Sequence, residues 1–327
     1  MKKDVMKVNL SKDTKYNLIT IAAIIVAYIV CQIMIAAGMM SYLMKGLLVP
    51  FCYYSILAVS LNLTVGILGE LSLGQAGFMC IGAFASAFFS KCSVNLIPNA
   101  FIRFTLAILV GALAAAVFGV FIGIAVLRLR GDYLAIVTLA FGEIIKNVLN
   151  TIFVGYDSKG LHFSLKDAAS LNLQEDGVLI INGPQGITGT PQDTNFTVST
   201  LLLIITFIIV ANLINSRSGR AIMAIRDNRI AAEAMGIDVT KFRILAFTIT
   251  AALAGVAGVL YAHNISSLNA TPKNFGYNMS IMILVFVVLG GIGNIRGSII
   301  ASVILTLLPE YLRFLQDYRM LIYAIVL

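Results

Sequence analysis

The chain has 327 residues, 59% of them hydrophobic and 12% charged, with no Trp and a mean hydropathy of +0.95. Soluble domains carry about 45–50% apolar and about 25% charged residues, so the composition excludes an ordinary soluble protein and points to one that crosses a membrane repeatedly. The formal net charge of +8 does not call for nucleic acid, because the basic residues flank apolar runs and do not gather on a polar face.

The first element follows a basic segment, MKKDVMKVNLSKDTKYN, which reads as a cytoplasmic tail over 1–17. The apolar run 18–40 exceeds a signal-peptide core of about 7–15 residues and reaches the roughly 20 that a bilayer takes, so it reads as an uncleaved first span. Further spans are predicted at 47–67, 68–90, 101–127, 133–154, 198–215, 243–262, 277–291, 297–312 and 320–327. That gives an all-α polytopic fold of about ten transmembrane helices, with 18–327 as one transmembrane domain. The last run, MLIYAIVL, is either a final helix cut short or a segment that does not cross.

Lys and Arg favour the cytoplasmic side of a membrane protein. With the N-terminus inside, that side receives Lys2, Lys3, Lys7, Lys12 and Lys15, then Arg128 and Arg130. It also receives Arg217, Arg220, Arg226, Arg229, Lys241, Arg243 and Arg296, which makes most of the 23 basic residues. The loop 155–197 then lies outside, with Lys159 and Lys166 against Asp157, Asp167, Glu175, Asp176 and Asp193.

Two segments are rich in glycine. ILGELSLGQAGFMCIGAF (67–84) holds Gly69, Gly74, Gly77 and Gly82 beside Glu70, Ser72 and Gln75, and VLGGIGNIRGSIIA (288–301) holds Gly290, Gly291, Gly293 and Gly297 beside Asn294 and Arg296. Glycine weakens a helix and frees backbone groups that lipid cannot satisfy, so such stretches face protein or a water-filled path. A pair of them in the two halves of a transporter points to the translocation pathway. Tight helix packing through small residues is the other reading, and one residue can serve both.

Charge inside the spans is concentrated in GDYLAIVTLAFGEIIKNVLN (131–150), where Glu143 falls near the middle and Lys146 follows on the same face. A charge at that depth costs about 2.5–3.5 kcal/mol, so the two should pair and face the bundle. They either take part in transport or neutralise one another and fix the packing. Asp132, after Arg128 and Arg130, reads as lying at the cytoplasmic rim.

The densest charge lies in SGRAIMAIRDNRIAAEAMGIDVTKFR (218–243), within a cytoplasmic loop over 216–242. Ser218 is placed to cap a short helix, and Asp227 or Asn228 a second. In the second, Arg229 and Glu233 stand at i, i+4 while Ile230, Ala231, Ala234 and Met235 make a small apolar face. Gly236 supplies a stop, and Asp238 and Thr240 offer caps for the next span. Charges of both signs suit a protein partner better than a lipid surface; an ordinary basic loop is the plainer alternative.

No G-x-x-x-x-G-K-[ST], H-E-x-x-H or G-x-S-x-G occurs, and Cys31, Cys52, Cys80 and Cys92 form no ligand pair. The cysteines read as small packing residues, His162 and His263 as solvated loop histidines. An enzyme, a metal site and a cofactor are therefore not expected.

Several stretches have a family look: LNLTVGILGELSLGQAGFMCIGAF (61–84), LRLRGDYLAIVTLAFGEIIKNVL (127–149) and NGPQGI (182–187), then SGRAIMAIRDNRIAAEAMGIDVTKFRILAFTITAALAGVAGVLYA (218–262) and LVFVVLGGIGNIRGSIIASVILTLLPEYLR (284–313). From about residue 50 the chain resembles the permease subunits of branched-chain amino acid ABC transporters, the LivM-type half of the LivH/LivM pair. The resemblance implies a cell-membrane importer subunit that works with a homologous LivH-type permease, two cytoplasmic ATP-binding subunits and an extracytoplasmic substrate-binding protein. A missing P-loop is then expected, because the ATPase is a separate chain. It further implies that residues 219–236 couple to the ATPase, with Arg220, Arg226, Asp227, Arg229, Glu233 and Gly236 at the contact. The loop 155–197 would receive the binding protein. Gly69, Glu70, Ser72, Gly74, Gln75, Glu143, Gly290, Gly291, Gly293 and Asn294 are the pathway candidates. Two alternatives stay open: a permease for urea or short-chain amides, and an ion-coupled secondary transporter using Glu70, Glu143 and Lys146.

Overall fold

Lipid offers a backbone no hydrogen-bond partner, so long apolar runs must satisfy themselves as helices. The computed structural model of the protein describes residues 12–94, 96–126, 131–157, 160–173 and 177–312. Lys2, Lys3, Lys7, Arg128, Arg130, Lys159, Glu175, Asp176 and the run 320–327 lie outside these residues, as do the side chains of Lys12 and Asp132. The chain divides into two compact units, Met1–Gly46 and Leu47–Leu327.

The first unit holds α1 (Lys12–Ala36), whose side chains are exposed around most of its circumference. The helices that follow are α2 (Tyr42–Asn62), α3 (Gln75–Ser93), α4 (Ala100–Val126), α5 (Asp132–Thr151) and α6 (Phe196–Asn215). After these come α7 (Arg217–Asp227), α8 (Arg229–Ala234), α9 (Val239–Ala262), α10 (Pro272–Phe275), α11 (Tyr277–Gly290) and α12 (Ile295–Tyr311). Among the described residues, eight helical stretches are long and apolar enough to cross a membrane. With α12, which falls just short at 17 residues, they agree with the expected helical, many-span fold.

Two borders differ from the predicted ones. The span drawn at 68–90 begins as a helix only at Gln75, because α2 runs on into a π-helical turn, Leu63–Leu68, and residues 69–74 are then non-helical. The span drawn at 277–291 is preceded by the single-turn α10, from which it is separated at Gly276.

The centre of the larger unit is the packing of α3, α4 and α9. With lipid as apolar as leucine, helices associate by close backbone approach, and small residues permit it. Here Gly82 lies against Gly255, and Gly255 against Ala115 and the Gly111 carbonyl. Gly290 of α11 meets Gly297 of α12 in the same manner.

The loop after α5 carries structure that its sequence did not announce. Strands β1 (Phe153–Asp157), β2 (Gly160–Ser164) and β3 (Val178–Asn182) form an antiparallel sheet in the order β2-β1-β3, with Tyr156 opposite both Leu161 and Val178. A two-stranded ladder joins β4 (Ile187–Thr188) to β5 (Ser267–Leu268) beyond α9. Polar contacts tie this loop to the adjoining helix ends. Lys91 donates to the carbonyls of Leu179 and Thr188, both at 3.0 Å, and Arg103 pairs with Asp193 at 2.8 Å. His263 is a correction to the sequence reading: it is fully buried, 2.8 Å from the Ser90 hydroxyl, and so not a solvated loop histidine. His162 is half-buried beside Asp157.

Candidate functional site

The end of the bundle away from the sheet carries α7 and α8, and local chemistry fixes their geometry. Ser216, not Ser218, caps α7 by accepting from the Gly219 N–H at 3.1 Å. Asn228, the second of the two predicted candidates, caps α8 through the Ala231 N–H at 3.0 Å, and Asp238 caps α9 through the Lys241 N–H at 3.0 Å. Gly236 ends α8 at φ +81°, a left-handed conformation that disfavours side chains, while the Ile237 N–H returns to the Ala232 carbonyl at 3.0 Å.

The inner side of this element is a small apolar core of Ile225, Ala232 and Val239 with Ala224, Ile237 and Phe242. Its outer side presents Ile230, 80% exposed, and Met235, 83% exposed, beside the Arg229–Glu233 pair at 3.0 Å. Arg220 turns back to the Asn215 carbonyl at 3.2 Å.

Two groups of residues that are far apart in sequence meet here. Arg226 donates through Nη1 to the Gly66 carbonyl at 3.1 Å, and through Nε and Nη2 to Asp227 at 3.0 Å. Its aliphatic stem fills the space beside Gly69, where a Cβ would come within 2.6 Å of Cγ; Gly69 also has φ +78°. The next residue, Glu70, pairs with the buried Arg243 at 2.5 Å. Gly69, Glu70, Leu71, Gly131, Leu134 and Arg243 line a cavity of about 240 Å³.

Burial raises the Glu70 carboxyl above the usual glutamate value of 4.5, against the opposing hydrogen bond and charge of Arg243 and the charge of Arg229. The folded state therefore holds this proton more tightly than the unfolded chain does. Stability must fall as pH rises from about 4.5 through the raised value. Glu70→Gln has no proton to lose and keeps an acceptor for Arg243. Its unfolding midpoint, measured from about pH 4.5 to about pH 8, is expected to show a flatter fall than the wild type. Parallel curves would refute the assignment.

Residues 69–74 leave helical bonding, and neighbouring side chains take up a donor within them and one in the first turn of α3. The Leu73 N–H reaches Thr138 Oγ1 at 3.0 Å and the Ala76 N–H reaches Ser280 Oγ at 3.2 Å. Ser72 is buried, and so is Gln75, whose Nε2 donates to Ser60 Oγ at 2.5 Å and whose Oε1 accepts from no group among the described residues.

The second glycine-rich segment closes against the same region. Gly291 and Gly293 are left-handed, at φ +93° and +83°, and make the turn into α12, which Asn294 caps through the Gly297 N–H at 3.3 Å. The Gly293 N–H donates to Asn62 Oδ1 at 2.8 Å.

Glu143 stands apart from this cluster. It pairs with Lys146, and its Oε1 accepts from the Tyr277 N–H at 2.7 Å, the first donor of α11. The carboxylate thus meets a helix N-terminus that the break at Gly276 leaves open. Sequence reasoning missed Asn62, Gly66, Thr138 and Ser280. A lone Asn inside LAVSLNLTVGIL was the available signal for the first.

This is the architecture of a multi-pass membrane permease with an ordered loop element at one end. A family model described as "Branched-chain amino acid transport system / permease component" matches residues 43–327, and the chain belongs to that family. It is 35% identical over 279 residues to the high-affinity branched-chain amino acid transport system permease protein LivM of Salmonella typhimurium strain LT2, covering 82% of this chain and 63% of that one. Identity to LivM of Escherichia coli strain K12 is 34% over 279 residues, with the same coverage. The fructose import permease protein FruG of Bifidobacterium longum is 24% identical over 300 residues, 88% of this chain and 81% of FruG. The chain therefore spans less than two thirds of the length of the LivM relatives. No solved structure matches it.

Proposed function

We infer that the chain is the transmembrane permease subunit of an ABC importer for branched-chain amino acids, with its N-terminus cytoplasmic and α7–α8 seated in a cytoplasmic ATP-binding subunit. The observation that carries this reading is the outer face of α8. Ile230 and Met235 project beside a charge pair from an element whose caps and core hold it in one shape. Apolar anchors ringed by paired charge are the makings of a protein interface. Arg220, Arg226, Asp227, Arg229, Glu233 and Gly236 order or flank that face.

The remaining assignments follow from the same frame. A LivH-type permease completes the pore, a second ATP-binding subunit serves it, and an extracytoplasmic binding protein docks on the sheet-bearing loop 155–197. The non-helical segments and the helix ends beside them, with Gly69, Glu70, Ser72, Gly74 and Gln75, and with Gly290, Gly291, Gly293 and Asn294, shape the cytoplasmic mouth of the path. Glu143 lies deeper in the bundle. A cavity of about 280 Å³ has apolar walls from Met279, Met282, Phe286 and Leu305, polar groups on Tyr54, Asn278 and Thr306 and, among the described residues, one cation, Lys273, which suits an aliphatic side chain joined to a carboxylate. Transport of branched-chain amino acids is also what the names of the LivM relatives state.

The test is reconstitution with the ATP-binding subunits, the second permease and the binding protein, followed by ATP-driven leucine uptake. Ile230→Glu with Met235→Glu is expected to weaken ATPase co-purification and uptake at least tenfold, the effect of about 2 kcal/mol at an interface anchor, without lowering the yield of inserted permease. Undiminished ATP-driven uptake in that variant, or uptake without ATP under an ion gradient, would sink the reading.

A further inference from the structure

We propose that Asn62 and the π-helical turn Leu63–Leu68 form the link that carries movement of α7 to the turn between α11 and α12, making Asn62, Gly66 and Gly293 positioning residues for transport. This rests on the reading of α7–α8 as the element that meets the ATPase. Motion of that element reaches α6 and α9 through the chain itself. The chain reaches α11 and α12 only by way of α9 and α10, whereas hydrogen bonds join α7 to their turn directly through the end of α2.

The link has three joints. At the first, Arg226 of α7 donates to the Gly66 carbonyl at 3.1 Å and packs its stem on Gly69. The Gly66 carbonyl is open to a guanidinium because the chain turns left-handed at Gly69 before a helical donor comes into reach. At the second joint, the backbone of Gly66 lies on that of Gly293; a Cβ on Gly66 would come 2.6 Å from the Gly293 Cα. Any side chain there would hold the two backbones apart. At the third, the fully buried Asn62 grips both the turn and the first part of α12. Its Oδ1 accepts from the Gly293 N–H and its Nδ2 donates to Ser298 Oγ, each at 2.8 Å.

A π-helical turn also suits a moving part. Its hydrogen bonds span one residue more than those of an α-helix, it is rare, and it concentrates at functional sites. Here it is fastened on three sides: to α7 by Arg226, to α12 by Asn62, and to α9 by the Thr64 and Thr250 hydroxyls at 2.8 Å. An arginine pulled or released by α7 acts directly on the backbone that Gly293 rests against.

The experiment uses the assembled complex in proteoliposomes and records ATP hydrolysis and leucine uptake together. Asn62→Leu removes both bonds at similar volume. It is expected to keep hydrolysis within about twofold of wild type and to lower leucine carried per ATP about tenfold, the effect of one or two buried hydrogen bonds. Ser298→Ala removes one bond and gives a smaller change in the same direction; it replaces Asn62→Leu if that variant does not assemble. Adding Arg226→Ala to Asn62→Leu is expected to lower the ratio no further than the stronger single variant, because groups acting in series do not add.

Amide exchange over residues 288–298, compared between nucleotide-free and ATP–vanadate-trapped complex, should change in the wild type and stay fixed in Asn62→Leu. An unaltered ratio, multiplying effects, a parallel fall of hydrolysis and uptake in both single variants, or no wild-type exchange response would each overturn the link. A wild-type complex that hydrolyses ATP and shows the exchange response, yet carries no branched-chain amino acid, overturns the proposed cargo and leaves the link standing.

Discussion

Gly255→Leu is expected to leave no monodisperse protein in detergent, while Gly123→Ala in the neighbouring helix is expected to stabilise it. Both glycines lie where α4 and α9 face each other. A Cβ on Gly255 would come 2.6 Å from the Ala115 Cβ and 2.8 Å from the Gly111 carbonyl oxygen, and the backbone of Gly82 presses from a third side. Backbone atoms cannot rotate away as a side chain can. Even alanine is therefore placed at the costly end of the roughly 1–3 kcal/mol typical of overpacking, and leucine beyond it. At Gly123 the nearest atom, Ile244 Cγ1, would lie 3.7 Å away, which is ordinary contact. Alanine fits there and avoids the helix penalty of glycine, a gain of about 0.5–1 kcal/mol. Size-exclusion profiles after stepwise heating separate the two outcomes, and equal behaviour of Gly255→Ala and Gly123→Ala would show that close approach does not organise this core.

The same packing explains what sequence could reveal. Span positions were legible because a bilayer imposes a length, and runs of apolar residues announce it. The start of α3 was not, because Leu71 and Leu73 extend the apolar signal ahead of Gln75 and hydropathy does not register where helical bonding begins. The capped form of α8 was legible from Asn228, Arg229, Glu233 and Gly236, which all act within one or two turns. The cap of α7 was misplaced by two residues because Ser216 and Ser218 offer the same chemistry locally.

Long-range partners were hidden. Arg226 and Gly66 are separated by 160 positions, and Ser90 and His263 by 173, so neither contact could be foreseen from one sequence. The sheet after α5 escaped because its strands are five residues or shorter. The period-two pattern of Leu161, Phe163 and Leu165 was its one visible trace. Of the candidate site, then, the charged surface was readable and its seat was not.

The second large effect concerns Glu143 and Lys146, which the sequence leaves with two roles and the structure joins to a third partner. Lys146→Met would leave the carboxylate in the bundle with the Tyr277 N–H as its one donor among the described residues. Breaking one side of a buried pair costs about 3–5 kcal/mol, and the carboxylate's 26% side-chain exposure places this case toward the lower bound. Lys146→Met with Glu143→Gln removes both charges and keeps an acceptor for the α11 terminus. That variant is expected to recover most of the loss, to within about 1–2 kcal/mol of wild type, as neutral replacements of buried pairs commonly do. Unfolding in mixed micelles titrated with SDS measures all three proteins. If the double variant unfolds as readily as Lys146→Met, the pair is not what makes the single change costly. Uptake by the double variant then separates the roles, because a stable protein that still transports has used the pair to fix α5 against α11. A stable protein that does not transport has lost a group on the path.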